Sequence, residues 1–493
     1  MGSPIPTNDA VFSVREILDA VGGTLLQGDS EFRAAGVSTD TRTLGAGAVF
    51  IALTGDRFDG HEFVATAVER GARVVVVSRS VDVPGRVAVI QVGDTVAALG
   101  ALGRAHRRRW GLAAQPRGSR MVIAVGGSAG KTTTTRAIAA VLQVECGTAV
   151  HAPQGNLNNA IGVPMTLLGL KEHHRFAVVE IGTNRRGEVA QLAAIAEADW
   201  AVLTLIDLEH TEGIGTLADV ADEEGDLVAA LAPGAVAFGN ADDPHVLAQL
   251  RRARSGEFVT VGLADDATVR IARRESVHLR SQRVVLATRG EPKRETITSL
   301  IGEPGARATA LAWAVSERVL ARRVTGAAVG TAMAIVAAHG DGRMVVRERD
   351  DGTVVIDDTY NANPASMRAS IDTAREIARS RGARLVLVLG EMRELGALSP
   401  TEHEALGAYV AEVLPAFFVG VAGECARSVE RARAGGVSSE FCVDSALAGA
   451  RALDAVRAGD VVLVKGSRGV ATERVVEALL GQPYERHSSP DLH

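Results

Sequence analysis

The segment Met121-Val-Ile-Ala-Val-Gly-Gly-Ser-Ala-Gly-Lys-Thr132 decides the fold class. Its first five residues form a continuous apolar run, which is typical of a strand buried on both faces. A glycine-rich stretch follows, and a helical pattern begins at Thr132. This order predicts a phosphate-binding loop, because free backbone N–H groups at a helix N-terminus attract phosphate oxygens.

The loop sequence departs in one place from the usual phosphate-loop pattern, which has glycine where Val125 stands. The alternative is a glycine-rich turn with an exposed lysine, but the placement of strand and helix favours phosphate binding. In such a loop Lys131 contacts the β- and γ-phosphates, and the Thr132 hydroxyl binds Mg²⁺. We therefore expect contacts to a nucleoside triphosphate from Gly127, Ser128, Gly130, Lys131, Thr132 and Thr133.

Apolar runs alternate with helical patterns beyond this loop. Residues 176–180, 200–205 and 235–238 have the composition of buried parallel strands. This alternation predicts a parallel sheet wrapped by helices. Residues 260–300 favour short antiparallel strands added to that sheet.

Two further α/β units flank this centre. Residues 1–115 alternate short apolar and polar runs, and a second strand–helix alternation begins near residue 343. Strands are expected there at residues 353–356, 384–389, 416–419 and 460–464. We therefore predict an α/β protein of three domains: a small N-terminal unit with a linker (1–117), a central phosphate-loop domain (118–336) and a Rossmann-like C-terminal domain (337–493).

Size, charge and cysteine content limit the function classes. The 493 residues fit about three domains, and the net charge of −6 gives no reason to expect nucleic acid or an anionic membrane as a partner. The arginine-rich segment 107–120 is therefore interpreted as a linker, with a nucleic-acid patch as the alternative. Three cysteines without a CxxC pair fit a reducing cytoplasm. We expect a cytoplasmic chain without a signal peptide or membrane insertion.

Glu180 and His210 follow the ends of two predicted strands. Ligands of open α/β sheets collect at the carboxyl ends of the strands, so both side chains should face the phosphate loop. Carboxylate oxygens suit Mg²⁺, and one histidine can accompany them. The alternatives are a carboxylate that caps a helix and a histidine in a surface loop.

Three asparagines, Asn156, Asn158 and Asn159, precede an apolar helix expected at residues 161–170. Their amides can satisfy backbone groups in a turn. They can equally point at a polar substrate, and amide chemistry alone leaves both interpretations open.

Several segments together resemble the Mur ligase family, and within it the MurF type, over nearly the whole chain. The N-terminal unit carries Ser38-Thr-Asp-Thr-Arg42 and Phe58-Asp-Gly-His61. The centre adds Gly155-Asn-Leu-Asn-Asn-Ala-Ile-Gly-Val-Pro164. The C-terminal unit carries Ile356-Asp-Asp-Thr-Tyr-Asn-Ala-Asn-Pro-Ala-Ser-Met367, Leu389-Gly-Glu-Met-Arg-Glu-Leu-Gly396 and Val464-Lys-Gly-Ser-Arg468. The sequence lacks the DNPR motif of sister ligases that add a diamino acid.

The resemblance implies an ADP-forming ligase of peptidoglycan synthesis, and thus a role in cell-wall biogenesis, cell shape and cell division. ATP would phosphorylate the terminal carboxylate of UDP-N-acetylmuramoyl-tripeptide. The amine of D-alanyl-D-alanine would then attack the acyl phosphate, and the tetrahedral intermediate would collapse to the amide, ADP and phosphate. Both substrates are small molecules, and a monomer is expected.

The resemblance also implies roles for particular residues. Thr132 and Glu180 would serve one magnesium ion and His210 another, with Lys131 and His210 among the catalytic residues. Residues of the C-terminal unit would reach the nucleotide: Arg343, Asp358, Tyr360 and Asn361. The UDP-linked substrate would be held by Ser38, Thr39, Asp40, Arg42, Asn156, Asn158 and Asn159.

The chain departs from the family near the phosphates. The family usually has threonine in place of Gly126, and a CO₂-carbamylated lysine at the position of Glu224. We hypothesise that Glu224, helped by Glu223, supplies the negative charge and binds metal as the carbamate would. The alternative is that both glutamates belong to a solvated acidic helix face.

The family also holds adenine with asparagines that this chain replaces by Gly305 and Ala308. Adenine recognition is then rebuilt, nucleotide choice relaxed, or catalysis lost. A working ligase is the leading interpretation. The alternatives are a divergent paralogue with another substrate and a non-catalytic protein that binds nucleotide or UDP-sugar.

Overall fold

The computed structural model describes residues 5–55, 58–113, 119–153, 155–254 and 256–483. The predicted α/β class is confirmed, because each larger sheet combines parallel strands with packed helices. None of the helices in these ranges has both the length and the apolar composition needed to cross a membrane.

The N-terminal unit is built on a sheet with strand order β2-β9-β8-β5-β4, parallel except for β2. The four valines of its central strand are fully buried, as expected of β-branched side chains in a covered sheet. Its elements are β1 (Val11–Ser13), α1 (Val14–Val21), β2 (Thr24–Gln27), β3 (Arg33–Ala35), β4 (Val37–Ser38), β5 (Val49–Ile51), β6 (Thr54–Gly55), β7 (Phe58–Asp59), α2 (Val64–Glu69), β8 (Val74–Val77), β9 (Ala88–Gln91) and α3 (Thr95–Leu112).

Helix α3 contains the first six residues of the segment 107–120, which we interpreted as a linker, so that interpretation is wrong for residues 107–112. Arg107 is buried and pairs with Asp199 of the central unit at 2.8 Å. Arg108 pairs with Glu197 at 2.5 Å. Because both arginines are paired with carboxylates, they do not favour the alternative of a nucleic-acid patch. Residues 114–118, including Pro116, lie outside the described part of the chain.

The central unit has strand order β11-β12-β10-β13-β14-β15-β16-β17-β18, with parallel pairing as far as β16 and antiparallel pairing beyond it. The predicted parallel sheet with added antiparallel strands is therefore confirmed. Its elements are β10 (Met121–Gly126), α4 (Lys131–Cys146), β11 (Val150–His151), α5 (Gly162–Leu168), β12 (Phe176–Glu180), α6 (Glu188–Ala196), β13 (Trp200–Leu203), α7 (Thr211–Ile214), α8 (Leu217–Ala229), β14 (Val236–Asn240), α9 (Pro244–Leu250), β15 (Phe258–Gly262), β16 (Val269–His278), β17 (Ser281–Thr288), β18 (Arg294–Thr298), α10 (Gly302–Leu320) and α11 (Gly326–Ala338).

The C-terminal unit has strand order β19-β20-β24-β21-β22-β23, parallel except for the edge strand β19. The ends of β20 and β21 carry the segments that reach the central unit. Its elements are β19 (Val345–Glu348), β20 (Val354–Asp358), α12 (Pro364–Arg381), β21 (Leu385–Gly390), α13 (Ser399–Val413), β22 (Phe417–Val421), α14 (Cys425–Ala434), β23 (Ser439–Cys442), α15 (Ser445–Ala455), β24 (Val461–Lys465) and α16 (Glu473–Leu480).

Three histidines, two of them buried and His151 partly buried, lie where α3 meets the central unit. His106 and His151 each approach a backbone carbonyl through Nε2 at 2.8 Å, and the rings of His151 and His174 stack with centroids 4.9 Å apart. Nδ1 of His174 accepts the backbone N–H of Lys171 at 2.9 Å. Burial lowers the pKa of all three imidazoles, and that of His174 falls to about 3.

We expect the protein to lose stability as the pH falls below about 6.5, where histidine in an unfolded chain takes up a proton. Because the pKa of His174 is depressed to about 3 in the fold, this residue should contribute to the loss of stability between pH 8 and pH 5. The urea midpoint, followed by tryptophan fluorescence, measures the loss. His174→Gln should flatten the pH dependence and His278→Gln, at an exposed position, should not. An equal slope in both variants would contradict the assignment.

Candidate active site

The phosphate loop joins the end of β10 to the start of α4. Gly127 and Gly130 have positive φ values of 118° and 85°. A Cβ atom on Gly127 would lie 2.4 Å from Oγ1 of Thr204, so only glycine fits there. The Thr204 hydroxyl bonds the carbonyl oxygens of Gly126 and Ala129 at 3.0 and 2.7 Å. The residue directly after β13, Thr204, thus holds the loop in place.

Lys131 lies at the N-terminus of α4, as predicted, but its partner was not foreseen. Its ammonium group pairs with Oε1 of Glu209 at 3.1 Å and also donates to the carbonyl of Gly127. Burial lowers the pKa of Lys131, but the carboxylates of Glu209 and Glu224 outweigh it, and the pKa is raised. Lys131 is therefore a buried cation in an acidic surrounding. The only sequence signal for Glu209 was its place beside His210.

Glu180 ends β12 directly beside Val125 of β10 and is almost fully buried. Its Oε1 atom accepts the side-chain N–H of Asn158 at 2.8 Å. The expected position at the carboxyl edge of the sheet, facing the phosphate loop, is thus the position observed. Its described side-chain contact is to Asn158 and not to a helix N-terminus.

The turn interpretation applies to Asn159, whereas the side chain of Asn158 contacts a carboxylate and not the backbone of a turn. Asn159 accepts backbone N–H groups from Ile161 and Gly162 at 3.1 and 2.9 Å, so it stabilises the turn into α5. Asn158 holds the Glu180 carboxylate and contacts Asn156 at 3.2 Å. We therefore attribute a structural role to Asn159 and a supporting role to Asn158.

His210 lies between two acids near the end of β13. Its Nδ1 atom is 2.5 Å from Oε2 of Glu394, in the C-terminal unit, and its Nε2 atom is 4.0 Å from Oε2 of Glu209. Burial would lower the pKa of His210, but these two carboxylates raise it above the usual value. A solvated loop histidine would not show this arrangement. Glu394 was not foreseen, although it belongs to a segment that carried the family resemblance.

Glu224 is fully buried on α8, directly behind the phosphate loop. Its Oε2 atom accepts the N–H of Gly127 at 2.7 Å, and its Oε1 atom is buried without a hydrogen-bond partner among the described residues. Burial, only partly opposed by Lys131, raises the pKa of Glu224 to about 7. The alternative of a solvated acidic face is therefore wrong for this residue.

Gly126 and Glu224, two departures from the family, are in contact. A Cβ atom on Gly126 would lie 3.1 Å from Oε2 of Glu224 and 2.8 Å from Leu227. The missing side chain at position 126 thus makes room for the glutamate carboxylate. The glycine at position 126 and the glutamate at position 224 are therefore sterically linked.

Glu223 does not share this position. It is buried, and its carboxylate accepts the backbone N–H groups of Gly187 and Val189 at 2.7 and 2.8 Å. It therefore satisfies the free N–H groups at the start of α6, where a carboxylate is favourable. The expected help from Glu223 at the phosphate site has no support in its contacts.

The C-terminal unit brings cationic and aromatic side chains to the same place. The guanidinium carbon of Arg343 lies 3.6 Å from the ring centroid of Tyr360, and burial lowers the pKa of Arg343. Asp358 is paired with Lys465 at 2.6 Å, and Lys465 also donates to the carbonyl of Asn361 at 2.8 Å. Asp358 therefore stabilises the loop at Asn361 through its ion pair with Lys465.

A cavity of about 830 Å³ lies between the phosphate loop and the C-terminal unit. Gly127 and Glu224 lie behind the loop, outside its described lining. In the ranges that the structure describes, no group of three or more His, Cys, Asp or Glu side chains is arranged to hold a metal alone. The predicted residues that line the cavity are Ser128, Gly130, Lys131, Thr132, Thr133, Asn156, Asn158, Asn159, Glu180, His210, Arg343, Asp358, Tyr360 and Asn361.

The N-terminal candidates lie elsewhere. Asp40 pairs with the exposed Arg42 at 2.6 Å, and the Ser38 hydroxyl donates to the backbone carbonyl of Asp40 at 2.9 Å. Side-chain hydrogen bonding to Arg42 lowers the pKa of Asp40. Ser38, Thr39, Asp40 and Arg42 form a compact polar turn that is not part of the described cavity lining.

The base-holding asparagines of the family are replaced by a close-packed surface. Pro304, Gly305, Ala308 and Leu311 of α10 line one side of the cavity. A Cβ atom on Gly305 would lie 2.5 Å from the carbonyl carbon of Leu300, so the helix packs on the preceding strand end without room for an amide. A base placed here would meet mainly apolar contacts.

Three family models match the chain in succession. They are described as "Mur ligase family, catalytic domain" at residues 33–107, "Mur ligase middle domain" at residues 125–315, and "Mur ligase, glutamate ligase domain" at residues 342–468. The phosphate loop, His210 and Glu224 fall within the second match, and Arg343 to Asn361 within the third.

Similar proteins cover the chain from end to end. The UDP-N-acetylmuramoyl-tripeptide--D-alanyl-D-alanine ligase of Escherichia coli (strain K12) is 32% identical over 95% of this chain and 98% of its own length. That of Bacillus subtilis (strain 168) is 32% identical over 96% and 99%. Among solved structures, MurF from Acinetobacter baumannii superposes with a TM-score of 0.84 at 26% identity, over 96% and 100% of the two chains. MurF ligase from Thermotoga maritima in complex with ADP gives 0.77 at 25% identity, over 90% and 97%.

Proposed function

The chain belongs to the Mur ligase family, and we propose that it joins D-alanyl-D-alanine to UDP-N-acetylmuramoyl-tripeptide with ATP, in the cytoplasm, during peptidoglycan synthesis. The strongest support is the similarity over almost the whole length to relatives that carry the name of this one activity. The ADP in a similar solved structure supports ATP as the co-substrate. The family's DNPR motif for diamino-acid addition is absent from the sequence.

The arrangement of charges suits the first chemical step. The peptide carboxylate must approach a triphosphate, so positive charge has to be held between two anions. Lys131 and the N-terminus of α4 supply it from the central unit, and Arg343 of the C-terminal unit lines the same cavity. On nucleotide binding, Lys131 would exchange its contact with Glu209 for the phosphate oxygens. The reaction then yields an acyl phosphate and ADP.

Magnesium fits the oxygen donors available here. When bound, Mg²⁺ would neutralise phosphate charge during transfer. In phosphate sites this ion takes one or two carboxylates together with phosphates and water, so a complete protein cage is not required. Thr132 and Glu180 offer a hydroxyl and a carboxylate at the loop, and Glu224 offers a buried oxygen that has no described partner. We propose these three, with His210, as the metal-facing residues.

The second step needs the acyl phosphate and the amine of D-alanyl-D-alanine to meet. We propose that the polar turn from Ser38 to Arg42 holds the UDP end of the substrate, while the peptide extends towards Asn156. The three units would then orient the substrates around one cleft, which lowers the entropic cost of the reaction.

We further propose the domain limits that were predicted from the sequence, with one change. The central domain ends at Ala338, where α11 ends, and not at residue 336.

We expect phosphate release to require all components at once: protein, ATP, Mg²⁺, UDP-N-acetylmuramoyl-tripeptide and D-alanyl-D-alanine. Each component is omitted in turn, and the pentapeptide product is identified by its mass. Release that continues without D-alanyl-D-alanine would indicate a different amine or simple hydrolysis. UDP-sugar binding without turnover would instead favour a non-catalytic paralogue.

A further inference from the structure

The contact between His210 and Glu394 joins two different units of the chain. His210 follows β13 of the central unit, and Glu394 follows β21 of the C-terminal unit. The Nδ1 and Oε2 atoms lie 2.5 Å apart, so the carboxylate is close enough to take a hydrogen from the ring. The contact involves His210, one of the metal-facing residues proposed above, whereas Glu394 has no role in that proposal.

Two further hydrogen bonds hold the same two segments together. The Thr211 hydroxyl donates to the carbonyl of Leu395 at 2.9 Å, and the N–H of Glu212 donates to the carbonyl of Glu394 at 3.3 Å. Gly396 has a positive φ of 51°, and a Cβ atom there would lie 3.3 Å from Cα of Glu212. The two backbones thus approach each other closely.

Both residues of the contact between His210 and Glu394 have a left-handed backbone. The φ value is 49° for His210 and 67° for Glu394, although neither residue is glycine. Such conformations are unfavourable for residues other than glycine and persist where the surroundings enforce them, often at functional sites. The contact between His210 and Glu394 therefore persists although both residues adopt an unfavourable backbone conformation.

The orientation of the imidazole follows from this contact. A histidine ring has one nitrogen on each side, and the hydrogen bond at one nitrogen decides what the other presents. Because Nδ1 faces Glu394, Nε2 faces Glu209 and the cavity that holds Lys131. Without the C-terminal acid, nothing described in the structure would keep Nδ1 turned away from the cavity.

We propose that Glu394 is a positioning residue: by taking the Nδ1 hydrogen of His210, it presents the Nε2 lone pair to the phosphate site when the C-terminal unit is in place. The docking of the C-terminal unit is thus coupled to the orientation of the His210 ring in the central unit. The catalytic consequence rests on the proposed ligase function, but the orientation of the ring does not. The two parts can therefore be tested separately.

The first test observes the ring directly, without nucleotide or metal. Protein with ¹⁵N-labelled imidazoles is studied by NMR at pH 9, and the His210 signals are assigned by comparison with His210→Gln. Nδ1 should carry a hydrogen in the unsubstituted protein and in Glu394→Gln, which keeps an acceptor. In Glu394→Ala the hydrogen should move to Nε2. Glu212→Ala, which removes an exposed acid beside the same contact, should leave Nδ1 protonated. An Nδ1 without hydrogen in the unsubstituted protein would overturn the proposal.

The second test measures turnover of the same four proteins. Glu394→Ala should lower kcat/KM about tenfold, as loss of a residue that orients a ligand does, with Glu394→Gln closer to the unsubstituted enzyme and Glu212→Ala unchanged. Melting temperatures show whether Glu394→Ala remains folded, and the comparison with Glu394→Gln stands if it does not. Equal loss in Glu394→Ala and Glu212→Ala would overturn a specific role. No turnover in any protein, with the expected NMR result, would contradict the ligase function alone.

Discussion

Lys131→Ala should lower ADP-forming turnover by about 10²- to 10³-fold, the loss seen when a preorganised charge or donor is removed from a transition state. Lys131 is the cation at the N-terminus of α4 and lines the cavity where the triphosphate would lie. Without it, the carboxylate and the phosphates would approach each other with less compensation. Phosphate release and product mass measure the loss, with the exposed Lys293→Ala as the matched control.

The same substitution should also affect stability, and the two effects can be separated. Removing Lys131 leaves the buried Glu209 carboxylate without its partner at 3.1 Å, which typically costs about 3–5 kcal/mol. Lys131→Ala combined with Glu209→Gln removes both charges, so most of the lost stability should return while turnover stays low. If the double variant regained turnover together with stability, Lys131 would act on the fold and not on the phosphates.

The strands of the central sheet were predictable because they are buried on both faces. Residues 176–180 were expected as a strand and form β12 with the same limits. Their apolar run ends at a carboxylate, so both the strand and its functional end were visible in the sequence. Parallel pairing then followed from the alternation with helices, and it placed Glu180 beside the phosphate loop.

Helix α3 shows where the pattern was misleading. Its second half contains consecutive arginines, which look like a solvated linker when the partners are unknown. Arg107 and Arg108 are instead matched by Asp199 and Glu197 of another unit. Whether a charged stretch is solvated or paired can be decided only when the surface that packs against it is known. The residues of that surface are distant in the sequence.

The same limit applies to the site itself. Motif spacing identified Lys131 and His210, because their neighbours in the chain define their setting. Their partners Glu209 and Glu394 depend on side-chain direction and on docking between units. Contacts such as that between Thr211 and Leu395, 184 residues apart in the chain, leave no local trace in the sequence.

Both the sequence and the structure bear on the role of Glu224 at the phosphate loop. The alignment with the family suggested a substitute for a carbamylated lysine, and the structure places the carboxylate against the N–H of Gly127 at 2.7 Å. The space that it uses is available because position 126 lacks a side chain. We propose that a glutamate on this shorter arm takes the place of the carbamate without any modification by CO₂.

Turnover should therefore be independent of bicarbonate, and Glu224→Gln should lower it by about 100-fold, the upper end of losses at residues around a metal. The amide keeps an acceptor for the Gly127 N–H, so the loop geometry is preserved while the charge is removed. Phosphate release is measured in CO₂-depleted buffer, before and after bicarbonate is added.

Asp222→Asn is the matched control, since it removes an exposed charge from the same helix and should change neither quantity. Rescue of the CO₂-depleted enzyme by bicarbonate would show that a carbamate forms elsewhere and that Glu224 does not replace it. Full turnover of Glu224→Gln without rescue would assign Glu224 to the support of the loop alone. Because the buried Oε1 atom has no described partner, a purely structural role would leave half of this carboxylate unused, and we expect the loss of turnover.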